Sequence, residues 1–136
     1  MASYLARKIM DRELISEVTK QISEYFAGQR RQFTGRCVVN IDQRAGTPFQ
    51  RSVWKTIATI PYGQTRSYAW VAKQLGNSGA TRAVGSACGK NSLPIIIPCH
   101  RVIKKDGSLG NYTGGGNEMK RLLIDLEKRV LAAEQN

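Results

Sequence analysis

The architecture follows from the run Ser67-Tyr68-Ala69-Trp70-Val71-Ala72-Lys73-Gln74-Leu75-Gly76-Asn77-Ser78-Gly79-Ala80-Thr81-Arg82-Ala83-Val84-Gly85-Ser86-Ala87-Cys88. Ser67 has the side chain of a helix N-cap and Gly76 is a natural stop, which predicts a short helix over about 68–75. Asn77-Ser78-Gly79 makes a tight connection, and a second helix is expected over about 80–89. Two short helices joined by three glycine-containing residues match the helix-turn-helix pattern. That spacing also occurs in many helical proteins. The second helix is built almost wholly from small residues, among them Ala80, Ala83, Gly85 and Ala87. Close packing against neighbouring helices would account for this. So would a backbone that must come near something large, such as a DNA groove.

Upstream, Thr47-Pro48-Phe49-Gln50 reads as a helix start: capping threonine, proline at the first helical position, glutamine three residues after the cap. Phe49, Val53, Ile57 and Ile60 form its apolar stripe, with Trp54 beside it, and Pro61-Tyr62-Gly63 ends it. Further back, Leu14, Ile15, Val18, Ile22 and Phe26 recur at helical spacing, which predicts an amphipathic helix over 11–27 stopped at Gly28. The run over 36–41 is compatible with one strand. Downstream, 101–103 and 109–112 flank a turn containing Asp106-Gly107, a hairpin signal. Asn117 is the expected cap of a last helix whose Met119, Leu122, Leu123, Leu126 and Val130 face the core. The expected fold is mainly α with a small β-hairpin, a helix-turn-helix (winged-helix-like) part over 46–136 preceded by a short region over 1–45.

Composition narrows the partners. Lys plus Arg number 21 against 10 Asp plus Glu, a net charge of +11. Between Gln50 and Asn111 stand nine basic residues (Arg51, Lys55, Arg66, Lys73, Arg82, Lys90, Arg101, Lys104, Lys105) and one acid, Asp106, so this stretch carries +8 of the total. Such one-sidedness points to a polyanion, nucleic acid first, although a generally basic surface would look the same. No apolar run approaches the ~20 residues of a membrane span, and no signal-peptide core follows the basic start, so a soluble cytoplasmic protein with no membrane partner is expected. Three cysteines, Cys37, Cys88 and Cys99, with no C-x-x-C pair and one histidine, argue against both a disulfide framework and a zinc site. No metal or cofactor is expected.

Chemistry concentrates in Pro94-Ile95-Ile96-Ile97-Pro98-Cys99-His100-Arg101-Val102. Sulfur attacks as thiolate, whereas a free cysteine of pKa about 8.5 is mostly protonated at neutral pH. A neighbouring imidazole or guanidinium can favour the thiolate. A buried structural cysteine would read the same from these residues alone.

The whole string resembles the active-site signature of the O6-alkylguanine-DNA alkyltransferases. The resemblance runs from Gly46 to Glu127 and includes Gly46-Thr47-Pro48-Phe49-Gln50 with Val53-Trp54, Pro61-Tyr62-Gly63, Ser67-Tyr68, Arg82-Ala83-Val84-Gly85, Asn91, Pro98-Cys99-His100-Arg101-Val102 and Gly110-Asn111-Tyr112-Thr113-Gly114-Gly115. It implies a one-turnover transfer of the alkyl group from O6 of guanine in double-stranded DNA, and less well from O4 of thymine, to Cys99. His100 would take the thiol proton through a water and Glu127 would orient His100. Tyr68 would donate to the departing base. Pro94 and Tyr112 would form the pocket walls, the carbonyls of Cys99 and Val102 would accept from the guanine amine, and the backbone near Thr113 would face O6. Asn91 would tie the recognition helix to the cysteine loop. Arg82 would fill the stack vacated by the extruded base, with Ala80, Thr81, Ala83 and Gly85 beside it on the DNA. The region over 1–45 is shorter than the N-terminal domain usual in the family, and a monomer is expected. The alternative is a non-catalytic, alkyltransferase-like lesion-binding protein. Those relatives lack the cysteine.

Overall fold

The computed structural model describes residues 2–35, 46–110, 112 and 114–135, with side chains from residue 12 onward. The strand expected over 36–41, and Thr113, lie outside them. The chain divides into two compact units, Met1–Asn40 and Ile41–Asn136.

In the first unit α1 spans Ala2–Phe26, starting well before the expected residue 11. Its buried positions are also phased differently. Gln21 and Tyr25 are the most buried, whereas Ile15 is 65% exposed and Phe26 39%. The reason is what folds back on the helix. The Gln21 side-chain amide accepts from Thr34 N (3.0 Å) and donates to Thr34 O (3.1 Å), so it takes both backbone groups of that residue. Tyr25 sits beside Phe33, ring centroids 5.9 Å apart. These contacts centre the buried stripe on Gln21 and Tyr25, with Leu14, Val18 and Ile22 half-buried.

The second unit opens with α2 (Pro48–Ala58) and a complete capping box: Gln50 N donates to Thr47 Oγ1 (3.1 Å) and Thr47 N to Gln50 Oε1 (2.9 Å). Val53, Trp54, Ile57 and Ile60 are buried, while Phe49, at the first turn of the stripe, stays 36% exposed. Trp54 donates Nε1–H to the Ala87 carbonyl (2.9 Å), so its ring both fills the core and fixes the backbone at Ala87. Truncating such a residue costs about 3–5 kcal/mol.

The helix-turn-helix forms as expected. α3 (Tyr68–Gln74) is capped by Ser67, whose Oγ accepts from Trp70 N (3.0 Å). A 3₁₀ turn over Ser78–Ala80 leads into α4 (Thr81–Gly89). α4 has two faces. Ala80, Val84, Ala87 and Cys88 are buried, and Arg82, Ala83, Ser86 and Gly89 are exposed. The packing explanation therefore holds for the buried side of the helix. Ala80 and Ala87 are small for packing, which takes Ala80 out of the expected DNA-facing set. Ala83 and Gly85 leave the outer face low.

The small sheet is not the expected hairpin. β1 (Arg66–Ser67) pairs in parallel with β2 (Val102–Ile103), Arg66 opposite Val102 and Ser67 opposite Ile103. The Asp106-Gly107 turn does close, through Lys104 N to Ser108 O (2.8 Å) and Gly107 N to Lys104 O (2.9 Å). Its second arm then leaves: the Leu109 carbonyl is taken by the Lys120 ammonium rather than by β2.

The last helix, α5 (Gly116–Glu134), begins one residue before Asn117 and has no side-chain cap. Its N-cap is Gly115 at φ 126. Its buried stripe is Lys120, Leu123, Ile124, Leu126 and Glu127, with Leu122, expected inside, 47% exposed. Two of the five buried residues are charged, and both lead to the site.

Candidate active site and nucleic-acid interface

Cys99 begins a 3₁₀ turn, Cys99–Arg101, that presents three consecutive buried side chains. The turn is held from upstream by one residue. Asn91 Nδ2 donates to the Ile97 carbonyl (3.0 Å) and lies 3.2 Å from Cys99 Sγ, while Asn91 Oδ1 accepts from Leu93 N (2.8 Å). The loop between them is strained. Ile95 has φ 78, a region that a β-branched residue rarely enters. The prolines on either side, Pro94 and Pro98, fit a segment whose path is set by its anchors rather than by a helix or ladder.

The thiol is 3% exposed. Its pKa is pushed well up, first by the neighbouring Cys88 thiol and then by burial; the Asn91 amide and the Lys120 charge oppose this. At rest the sulfur therefore keeps its proton.

His100 is fully buried and Nε2 lies 2.6 Å from Glu127 Oε2. Glu127 is the hub of the site. It also accepts from Arg101 Nε (2.9 Å), from Arg101 Nη2 (3.0 Å) and from Gly63 N (2.9 Å). Burial would raise its pKa, but the hydrogen bonds and charges of His100 and Arg101 outweigh burial and hold it at about 2. Burial lowers the His100 pKa, against the pull of Glu127. The pair is thus a neutral imidazole on an ionised carboxylate. The carboxylate can only accept, so Nε2 carries the hydrogen and Nδ1 is the basic nitrogen. Arg101 is not beside the sulfur. Its guanidinium is spent on Glu127 and on the Ile60 carbonyl (2.9 Å), which ties the Pro61-Tyr62-Gly63 turn to the site from both ends.

Tyr68, at the start of α3, has its pKa pushed up to about 12 by burial, so the phenol stays protonated. Lys120 Nζ donates to its oxygen (3.2 Å) and to the Leu109 carbonyl. Burial brings the Lys120 pKa down to about 8. Gly110 packs on the phenol: a Cβ there would sit 2.7 Å from Tyr68 Oη, at a φ of 72.

A cavity of about 570 Å³ opens beside these groups, lined among others by Tyr68, Arg82, Gly85, Lys90, Lys104 and Gly110. That is within the range of small-molecule sites. Thr81 lines it too, whereas Cys99 does not. Pro94 and Tyr112 meet each other across Gly114, whose Cβ would be 2.7 Å from both. Val102 is fully buried in β2.

Cys99, His100, Glu127, Tyr68 and Asn91, read from the sequence, thus lie in one cluster, and Arg82, Thr81 and Gly85 line the neighbouring cavity. Sequence reasoning missed Lys120 and the pairing of Arg101 with Glu127. Lys120, seven residues before Glu127, lies on the same helix face, but its partners are 11 and 52 residues away.

A family model, the 6-O-methylguanine DNA methyltransferase DNA binding domain, matches residues 48–129. A methylated-DNA–protein-cysteine methyltransferase of Mycobacterium tuberculosis (strain H37Rv) is 50% identical over 119 residues, which cover 88% of this chain and 68% of that protein. The constitutive enzyme of that name from Bacillus subtilis (strain 168) is 45% identical over 114 residues, 84% of this chain and 66% of that one. Among solved structures, Mycobacterium tuberculosis OGT in complex with DNA superposes with TM-score 0.77 at 48% identity, covering 85% of this chain and 68% of that chain. S. pombe Atl1 in complex with damaged DNA containing O6-carboxymethylguanine superposes with TM-score 0.53 at 25% identity, over 62% and 79%. The chain spans about two thirds of the length of the curated relatives it matches. On the family match and these identities, the chain belongs to the 6-O-methylguanine DNA methyltransferase family.

Proposed function

We propose that this protein repairs alkylated DNA by direct reversal, moving the alkyl group from O6 of guanine to Cys99 once per molecule. The observation that carries the reading is the buried thiol next in sequence to a neutral His100 on an ionised Glu127. His100 Nδ1 takes the thiol proton through a water. The sulfur then attacks the alkyl carbon, an S–C bond forms as the C–O6 bond breaks, and the electron pair goes to the guanine. Tyr68, protonated at neutral pH, donates to the base as its charge develops. The products are S-alkylcysteine and guanine, and no step regenerates the thiol.

A base inside the stack cannot reach a sulfur this buried, so it must be extruded. Arg82, exposed on the outer face of α4, fits the role of filling the vacated stack, with Thr81, Ala83 and Gly85 around it. Pro94 and Tyr112 wall the base, and the Cys99 and Val102 carbonyls accept from its amine. The protein acts as a monomer in the cytoplasm. Among the described residues no helix is long and apolar enough to cross a membrane, and no cluster of His, Cys, Asp or Glu could hold a metal. The lesion-binding alternative leaves Cys99 and its His100–Glu127 neighbours without a task.

Incubation with duplex DNA containing O6-methylguanine should add one methyl group to the intact protein, on the Cys99 peptide, and never more than one. Cys99→Ala should bind the lesion without gaining mass. Wild-type protein that gains no mass under reducing conditions would sink the reading.

A further inference from the structure

The cavity beside Tyr68 carries cations that the chemistry at Cys99 does not use. Lys90 is the C-cap residue of α4 and Lys104 opens the turn after β2, so they come from separate elements onto one cavity. Both side chains are exposed, as is Arg82 on the same cavity. Among the described residues no carboxylate lines it. Asp106, which shares a turn with Lys104, directs its carboxylate to Ser108 N (2.9 Å) and Ser108 Oγ (2.7 Å). Gly85 and Gly89 add no side chain to the α4 wall. A site with three cations, no anion and glycine on one wall is built for a bulky anion.

The phenol of Tyr68 fixes where a base belongs in this cavity. A nucleotide carries a phosphodiester on each side of its sugar, so a base held at Tyr68 brings its two flanking phosphates to the rim. Arg82 is then engaged in the duplex and cannot neutralise them. We infer that Lys90 and Lys104 bind the phosphodiesters that flank the extruded nucleotide, forming a clamp between the end of α4 and the turn after β2. The inference rests on the extruded-base reading above. Lysine suits the task, because its ammonium acts as a point charge on a phosphate without a fixed approach. The clamp forms only once the base has left the stack, so it stabilises the extruded state over the closed duplex.

The test is a cycle of binding measurements in the full chain with Cys99→Ala, which holds the complex before transfer. The probe is a duplex containing O6-methylguanine, with all phosphates present, with methylphosphonates at the two linkages flanking the lesion, or with methylphosphonates several base pairs away. Lys90→Ala with Lys104→Ala should weaken binding to the all-phosphate duplex on the order of tenfold. It should also flatten the dependence of log Kd on log salt by roughly 0.9 per lost contact. Neutralising the flanking linkages should cost the lysine-bearing protein about the same factor and the double variant little more, because both changes delete one interaction. Remote methylphosphonates should cost the two proteins equally. Equal losses from the flanking linkages in both proteins, or an unchanged salt slope, overturns the clamp. Failure of wild-type protein to take the benzyl group from free O6-benzylguanine is a separate result, which counts against the transfer reading and leaves the binding cycle decisive for the clamp.

Discussion

Glu127 shows how much one buried residue can carry. Three donor groups converge on its two oxygens, and the Gly63 amide makes the hub part of the backbone. Breaking such a pair leaves the Arg101 charge buried without a counter-ion, at about 3–5 kcal/mol. Glu127→Gln should therefore destabilise the fold by an amount in that range in denaturant titration. It should also slow transfer in protein that remains folded, because the amide cannot accept from all the donors the carboxylate serves. A pH signature separates this from a general packing defect. The folded-state pKa of about 2 lies below the ordinary carboxylate value of 4.5. The stabilisation is thus complete above about 4.5 and lost as pH falls toward 2. Wild-type stability should decline through that window and the variant should lack this component. Equal acid sensitivity in the two proteins would show that Glu127 is not the titrating hub. Glu127 was legible from the sequence as the orienting carboxylate. Lys120 was not, because a lysine in a helix usually points to solvent and its burial depends on a carbonyl and a phenol 11 and 52 residues away.

Among the elements, sequence signals and structure agree wherever the determinant is local. The Thr47–Gln50 box and the Ser67 cap both appear as the sequence implied. Signal and structure part where a distant group intervenes. Thr34 turns α1 to bury Gln21 and Tyr25, and Lys120 draws Leu109 away from β2, so the sheet forms in parallel with β1 instead. α4 makes a related point, since its small residues serve packing on one side and leave the exposed side low on the other. Its outer face supports a prediction. Arg82→Ala should leave stability within about 0.5 kcal/mol, as expected for an exposed side chain. It should slow methyl transfer from duplex DNA by at least tenfold more than benzyl transfer from free O6-benzylguanine, measured by single-turnover mass spectrometry. Equal slowing on both substrates would remove Arg82 from base extrusion.

For the whole molecule, charge and burial divide the labour of finding the lesion and sparing everything else. A net charge of +11, concentrated on the segment that holds the cavity, draws the protein to DNA. The nucleophile is meanwhile withheld: Cys99 is 3% exposed, Cys88 5%, and the Cys99 thiol is held protonated by Cys88 and by burial. A soluble electrophile meets neither an open path nor a thiolate, so its reaction must wait for local opening of the structure. On the proposed mechanism, an extruded alkylguanine would bring its carbon to the sulfur, with His100 to take the proton and Tyr68 at the leaving base. Iodoacetamide should therefore label Cys99 in the native protein at least a hundredfold more slowly than the same residue in denaturant, with peptide mapping separating it from Cys88 and Cys37. Labelling should accelerate with sub-denaturing urea in parallel with opening of the Pro94–Arg101 segment, read by hydrogen exchange. The methylated duplex should consume Cys99 far faster than iodoacetamide at equal concentration. Native labelling of Cys99 at the rate of an unfolded chain would mean that the thiol is open and ionised at rest, and that selectivity for damaged DNA must come from some other feature than burial.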